Sequence, residues 1–249
     1  MTILGDAPAV LQILLRRMTE VRAQRGVTGT AIHCMGYLWR LPQLLKRLVR
    51  EIAYDREMGV QTSRLVAAAD LGVAPCKLAD VSTGSRGAAY MPSPRWALTE
   101  ILSQLNIPYP EYTFIDLGSG MGRIILIASE FPFRKVIGVE FSLELHHIAE
   151  ANVASRHKAA RTGAVELLCQ DARDYDFPSQ NCVVYMFNPF GDGVMKTVLR
   201  KLEQSFLNSR HQLYVLYFNP VCGSLLDASP FLSKIKTTPH YSIYRACKV

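Results

Sequence analysis

Along the second half of the chain, apolar residues fall into short runs separated by stretches of helical spacing, regularly enough to predict elements. Residues 112–117, 135–140, 164–169, 181–187 and 211–218 read as strands, with helices over 121–130, 142–157 and 192–207 between them. Strand, helix and strand in repeated succession mean a parallel sheet with right-handed crossovers. Ahead of the first strand, Pro94 suits a helix start with Ser93 as its cap. Trp96, Leu98, Ile101, Leu102 and Leu105 form the face expected to be buried, up to Pro108. At the far end, residues 234–238 and 241–247 are two short strands joined across Pro239 and His240, a terminal hairpin.

The front of the chain follows another pattern. Leu41, Leu44, Leu45, Leu48, Val49 and Ile52 repeat at helical spacing while Arg40, Lys46, Arg47 and Arg50 fall mostly off that stripe, which predicts an amphipathic helix. Val10, Leu11, Leu14, Leu15, Met18 and Val21 form a weaker helical pattern, separated from the first by a stretch from Gly26 to Gly36. Between Gly59 and Tyr90 the chain is broken by Gly72, Pro75, Gly84 and Gly87, so an irregular connector is expected there. The division that follows is a helical extension with its connector over 1–89 and an α/β domain over 90–249.

Charge sharpens this division. Residues 1–95 hold thirteen Lys/Arg against seven Asp/Glu, and the remainder fifteen against fourteen, so the front carries nearly all of the net charge of +7. Arg16, Arg17, Arg22, Arg25, Lys46, Arg47 and Arg50 can follow a phosphate backbone or an acidic surface. No aromatic interleaving accompanies them, so solvated helix faces are the favoured reading and nucleic-acid binding the lesser one. The 249 residues are 49% hydrophobic and 20% charged, as in an ordinary soluble globular protein. The apolar stretch at 7–15 is followed rather than preceded by basic residues, the wrong order for a secretory signal, and no apolar run reaches the ~18 residues of a membrane span. Cys34, Cys76, Cys169, Cys182, Cys222 and Cys247 are scattered without a C-x-x-C pair, which argues for reduced thiols in a cytoplasmic protein and against a zinc site. A Leu stripe over 41–52, if exposed, makes a dimer conceivable; the oligomeric state is not readable.

The chemistry is concentrated where the first strand ends. Phe114, Ile115, Asp116 and Leu117 run into Gly118, Ser119, Gly120, Met121 and Gly122. A second apolar strand then closes on a carboxylate, Glu140. A dinucleotide fold places a third glycine three residues after the second, beneath a pyrophosphate, and here Arg123 stands in that place. The tighter bend preceded by an acid suits a ligand without phosphate, whose ammonium and carboxylate meet a carboxylate and main-chain N–H groups. S-adenosylmethionine is such a ligand. Glu140, at the end of its strand, is able to accept from both hydroxyls of a ribose.

These motifs resemble the nucleotide-binding half of the class I S-adenosylmethionine-dependent methyltransferases over Phe114 to Asp171. Tyr90 to Pro94, the stretch from Phe131 to Ser142, and Phe187-Asn188-Pro189-Phe190 are further similar to a little-characterised bacterial group. There is a looser likeness to protein-lysine methyltransferases that place an aromatic-Pro segment ahead of D-x-G-S-G. The resemblance implies a Rossmann-like sheet of seven strands, mostly parallel, with the last inserted antiparallel. It also implies that Asp116, Gly118, Ser119, Gly120, Gly122, Glu140, Asp171 and Ala172 bind the cofactor, Asp171 accepting from the adenine amino group. Asn188 would then stand at the methyl acceptor, presenting a side-chain carbonyl, with Pro189 and Phe190 beside it and Tyr90 lining the pocket. One proline is missing from the Asp/Asn-Pro-Pro-aromatic turn of enzymes that methylate amino or amide nitrogen, so their substrates are not carried over.

The expectation is a methyltransferase acting on an unidentified acceptor, a nitrogen of a protein or small molecule. Its rivals are an RNA or DNA methyltransferase using the basic front, and a non-catalytic module on the same scaffold. His146 and His147 read as structural, since no metal-ligand spacing joins them.

Overall fold

The computed structural model describes residues 50–63, 66–67, 88–90, 92–157 and 159–247. Two compact units divide the chain, Met1–Ala53 and Tyr54–Val249. Of the first, residues 50–53 are described and are helical. The helices expected over 10–21 and 41–49, the basic residues they carry, Cys34 and Cys76, and most of the connector lie outside the described residues.

In the larger unit the strands are β1 (Val66–Ala67), β2 (Ala88–Tyr90), β3 (Thr113–Leu117), β4 (Lys135–Glu140), β5 (Val165–Cys169), β6 (Cys182–Phe187), β7 (Leu213–Phe218), β8 (Leu232–Thr237) and β9 (Tyr241–Ala246). The helices are α1 (Arg95–Ser103), α2 (Arg123–Ala128), α3 (Leu143–Ser155), α4 (Asp192–Ser209) and α5 (Gly223–Asp227). β1 and β2 form a small antiparallel pair; the other seven strands make one sheet in the order β5-β4-β3-β6-β7-β9-β8. β3 to β7 are parallel, and β9 lies antiparallel between β7 and β8. This is the seven-stranded Rossmann-like arrangement with a C-terminal antiparallel hairpin. The five strands and three crossover helices expected from the sequence are present with ends shifted by a few residues; α5 carries too short a pattern to be read in advance.

Both faces of the sheet are covered, which is why β3 is buried at every residue and β6 reads as an unbroken apolar run rather than alternating. Successive residues still point to opposite sides. Phe114, Val183, Tyr185 and Leu216 pack with α1, α2 and Tyr54, Met58 and Val60. Ile115, Leu117, Val184, Met186 and Val215 pack with the stripe Val194, Met195, Val198, Leu199, Leu202 and Phe206 of α4. The strongest period in the sequence thus produces the longest buried helix face.

Two local expectations are corrected. Ser93 does not cap α1: the cap position belongs to Pro94, with no side-chain cap bond, and the Ser93 hydroxyl instead accepts from Tyr185 across 3.2 Å. Trp96 is 41% exposed, unlike Leu98, Ile101 and Leu102, because at about 100° per residue it lies on the opposite side of α1 from them. Its ring meets Phe218 and His240 edge-on at 5.8 and 5.9 Å.

Candidate functional site

In a parallel sheet the C-terminal ends of the strands collect the loops able to hold a ligand. Here β3 and β4 lie side by side, with Asp116 opposite Gly138 and Leu117 opposite Val139. The glycine-rich bend after β3 therefore reaches the end of β4. Gly118, Gly120 and Gly122 all have positive φ, at 79°, 52° and 81°, a conformation that costs glycine little and other residues more. The N–H groups of Gly118 and Ser119 donate to the Val139 carbonyl at 2.9 and 3.1 Å.

Glu140 closes the arrangement. One carboxylate oxygen accepts from the Gly120 N–H at 2.8 Å and the other from the Ser142 N–H at 2.9 Å. Ser142 in turn caps α3, accepting from the Leu145 N–H. The side chain thus faces the bend rather than turning away from it. Burial raises its pKa, and the N–H donors of Ser142, Gly120 and Phe141 oppose that rise.

Asp116 is 3% exposed and makes no hydrogen bond among the described residues. Burial, and then the nearby charge of Glu140, raise its pKa well above the ordinary carboxylate range. A buried carboxyl without a donor is costly, and a cationic ligand group is what relieves that cost. The donor set therefore fits an aminoacyl sulfonium cofactor: an anion for its ammonium, bare main chain beside it, and a second carboxylate one strand over.

The remaining sequence-derived residues are arranged unequally around this centre. Asp171 follows β5 and is held by Arg173: its oxygens accept from Arg173 N–H at 2.9 Å, Nε at 3.1 Å and Nη2 at 2.7 Å. Ala172 is buried beside it. Asn188, after β6, has a left-handed φ of 41° and is 8% exposed. Pro189 presses on the bend, since a Cβ on Gly118 would come within 2.6 Å of Pro189 Cβ. Phe190 is buried with α4. Tyr90 lies with its ring directly against Gly120, packed with Met121 and Leu145, and donates its hydroxyl to the Thr62 carbonyl at 3.1 Å. Its phenol pKa is raised by burial. We expect Tyr90→Phe to change cofactor affinity less than about tenfold, the upper net worth of one hydrogen bond. Tyr90→Ala, which uncovers Gly120, should weaken it more than tenfold in the same calorimetric titration.

A brace that sequence patterns did not reveal holds the bend from behind. Arg123 is 2% exposed; its Nε donates to Thr62 Oγ1 at 2.7 Å, and its Nη2 to Ser63 Oγ at 2.6 Å and to Asp55 at 3.2 Å. Asp55 also accepts from the Thr62 and Ser63 N–H groups at 2.7 Å each. Asn152 of α3 bonds both main-chain groups of Gln61 and donates to the Met121 carbonyl. Arg123, which in sequence only marked the missing glycine, is thus the anchor of this brace. The one advance signal was an arginine opening an otherwise wholly apolar helix. Asp55→Ala removes the acceptor of several inward donors, each costing about 1–3 kcal/mol when stranded, so urea unfolding should report a loss of at least about 3 kcal/mol.

The family described as "Histone methylation protein DOT1" matches residues 90–186, less than half of the chain. No curated protein matches. Among solved structures, a protein of Pyrococcus horikoshii is similar at 15% identity, over 61% of this chain and 89% of that one, with a TM-score of 0.48. An S-adenosylmethionine-dependent methyltransferase of Leishmania major is similar at 11% identity, over 62% and 71%, with a TM-score of 0.46. An RNA methyltransferase of Salinibacter ruber, solved with S-adenosylhomocysteine, is similar at 20% identity, over 63% and 92%, with a TM-score of 0.42. Strand order and the antiparallel insertion of β9 are those of a Rossmann-like methyltransferase fold, and a histone-methylation family is similar to this chain over residues 90–186. Among the described residues, no helix is long and apolar enough to cross a membrane.

Proposed function

We propose that this chain transfers a methyl group from S-adenosylmethionine to a nitrogen of a protein or small molecule. Residues 90–249 carry the crevice in this reading, and Asp55, Thr62 and Ser63 brace it from behind. The observation that supports it most directly is Glu140 on β4 reaching back to the Gly120 N–H beside an unpartnered, buried Asp116. In this reading Asp116 takes the ammonium, Gly118 to Gly122 form the floor, and Glu140 accepts from the ribose hydroxyls with the lone pairs its main-chain donors leave open. Asp171 and Ala172 flank the adenine, and Asn188, Pro189 and Phe190 border the acceptor.

When bound, the cofactor supplies an already activated methyl, so little acid or base chemistry is asked of the protein. Its residues have to hold the acceptor in line, roughly 3 Å from the methyl, and keep water out. Tyr90 closes one wall of the crevice by ring contact and Pro189 closes another against Gly118. An apolar enclosure also favours an uncharged acceptor nitrogen, whose lone pair is then free to attack.

The test is a calorimetric titration with S-adenosylmethionine. Glu140→Ala should weaken binding at least about tenfold, given about 1.5–3 kcal/mol for hydrogen bonds to a charged group. Unchanged affinity in that variant refutes the ribose role. Labelled methyl offered to fractionated cell extract then identifies the acceptor class, and label in nucleic acid alone would overturn the nitrogen-of-protein-or-small-molecule reading.

A further inference from the structure

Behind Asn188 lies a second group of polar side chains that the cofactor reading does not use. Tyr217, on β7, is buried, and its hydroxyl accepts from the Cys222 N–H at 3.2 Å. The same hydroxyl lies 3.3 Å from Asn188 Oδ1. A phenol has one proton, and its acceptor side is already engaged by the Cys222 N–H. Its proton therefore goes to the best acceptor in reach, which is a carboxamide oxygen. The Cys222 sulfur is a weak acceptor, and its thiol faces Asp192 Oδ1 at 3.2 Å and the Phe190 carbonyl at 3.6 Å. Cys222 thus ties down both ends of the segment from Asn188 to Asp192.

This bonding decides which way the Asn188 amide is turned. With Oδ1 held by Tyr217, the Nδ2 end has no hydrogen-bond partner among the described residues. Asn188 stands just past the end of β6, next to the Pro189 that lies against Gly118. The expectation of an exposed side-chain carbonyl is therefore reversed: Asn188 shows a donor. A neutral alkylamine has a single lone pair, and a donor that captures it competes with methyl transfer. An acceptor nitrogen conjugated to a second lone-pair atom, as in a carboxamide or an amidine, satisfies the donor and keeps the geometry of attack.

Resting on the methyltransferase reading above, we propose that Tyr217 is a positioning residue that turns the Asn188 amide N–H2 toward the crevice, and that the methyl acceptor carries a hydrogen-bond acceptor atom beside the methylated nitrogen. Recognition at this point then excludes an isolated alkylamine.

The experiment uses the full chain, 15N-labelled and saturated with S-adenosylhomocysteine. Failure to saturate would sink the cofactor reading itself, separately from this proposal. The Asn188 side-chain amide pair is assigned by its loss in Asn188→Asp. Titration with propionamide should shift that pair, whereas propylammonium should leave it in place. Tyr217→Phe should move the pair in the free protein and abolish the difference between the two probes, with cofactor affinity retained. A pair that answers to propylammonium and not to propionamide, or one unmoved by Tyr217→Phe, overturns the proposal.

Discussion

Asp116→Asn is expected to make the free protein more stable while weakening S-adenosylmethionine binding by roughly ten- to a hundredfold, the worth of a charge-assisted contact. The two effects share one cause. Burial and Glu140 raise the folded-state pKa of Asp116, whereas the unfolded chain returns it to its ordinary value of 3.8. Between those two pKa values the folded protein keeps a proton that the unfolded one has released, so stability falls as pH rises through the window. Each unit of such a shift is worth about 1.4 kcal/mol, and asparagine, which has no proton to lose, removes the decline. Urea unfolding from pH 4 to pH 8 should therefore show a falling stability in the parent and a flatter curve in the variant. Because a cationic ligand favours the ionised form, parent affinity should climb with pH up to the raised pKa and level off above it. The variant should be weak at every pH. A variant both less stable and equally tight in binding would show that Asp116 is only a structural carboxyl.

Gly120→Val is expected to abolish cofactor binding in a chain that still folds, a larger loss than any polar substitution in the crevice. Gly120 has φ of 52°, where a β-branched residue is strained, and a Cβ there would overlap the Tyr90 ring. The ring is fixed by the bond from its hydroxyl to the Thr62 carbonyl, so the bend has to yield instead. Displacing it breaks the Gly120 N–H bond to Glu140 and the alignment of both carboxylates. Calorimetry should detect no binding, while circular dichroism keeps the α/β signature of a sheet whose strands do not contain the residue. Combining it with Tyr90→Ala, which opens space beside the bend, should restore part of the affinity. The absence of any recovery would mean that backbone strain alone carries the loss.

The elements and the glycine bend at the end of β3 were legible in the sequence because both are written in local pattern. Apolar runs of five or six residues become strands, the stripe of α4 becomes a buried face, and an acid followed by closely spaced glycines fixes a bend at a strand end. What surrounds that bend comes from far away along the chain. Asp55 meets Arg123 across 68 positions and Gln61 meets Asn152 across 91, distances over which no periodicity carries information. The direction of the Asn188 amide depends likewise on Tyr217, 29 positions on and one strand over. The exposure of Trp96, by contrast, was open to sequence reasoning: at about 100° per residue it lies on the side of its helix opposite Leu98, Ile101, Leu102 and Leu105. Local stereochemistry and hydrophobic periodicity were enough to determine which segments form strands and helices and where the glycine bend falls. Only folding decided which donors each buried carboxylate keeps and which end of an amide is left open, because hydrogen-bond partners are chosen by proximity in space, and that exists only once the sheet has closed.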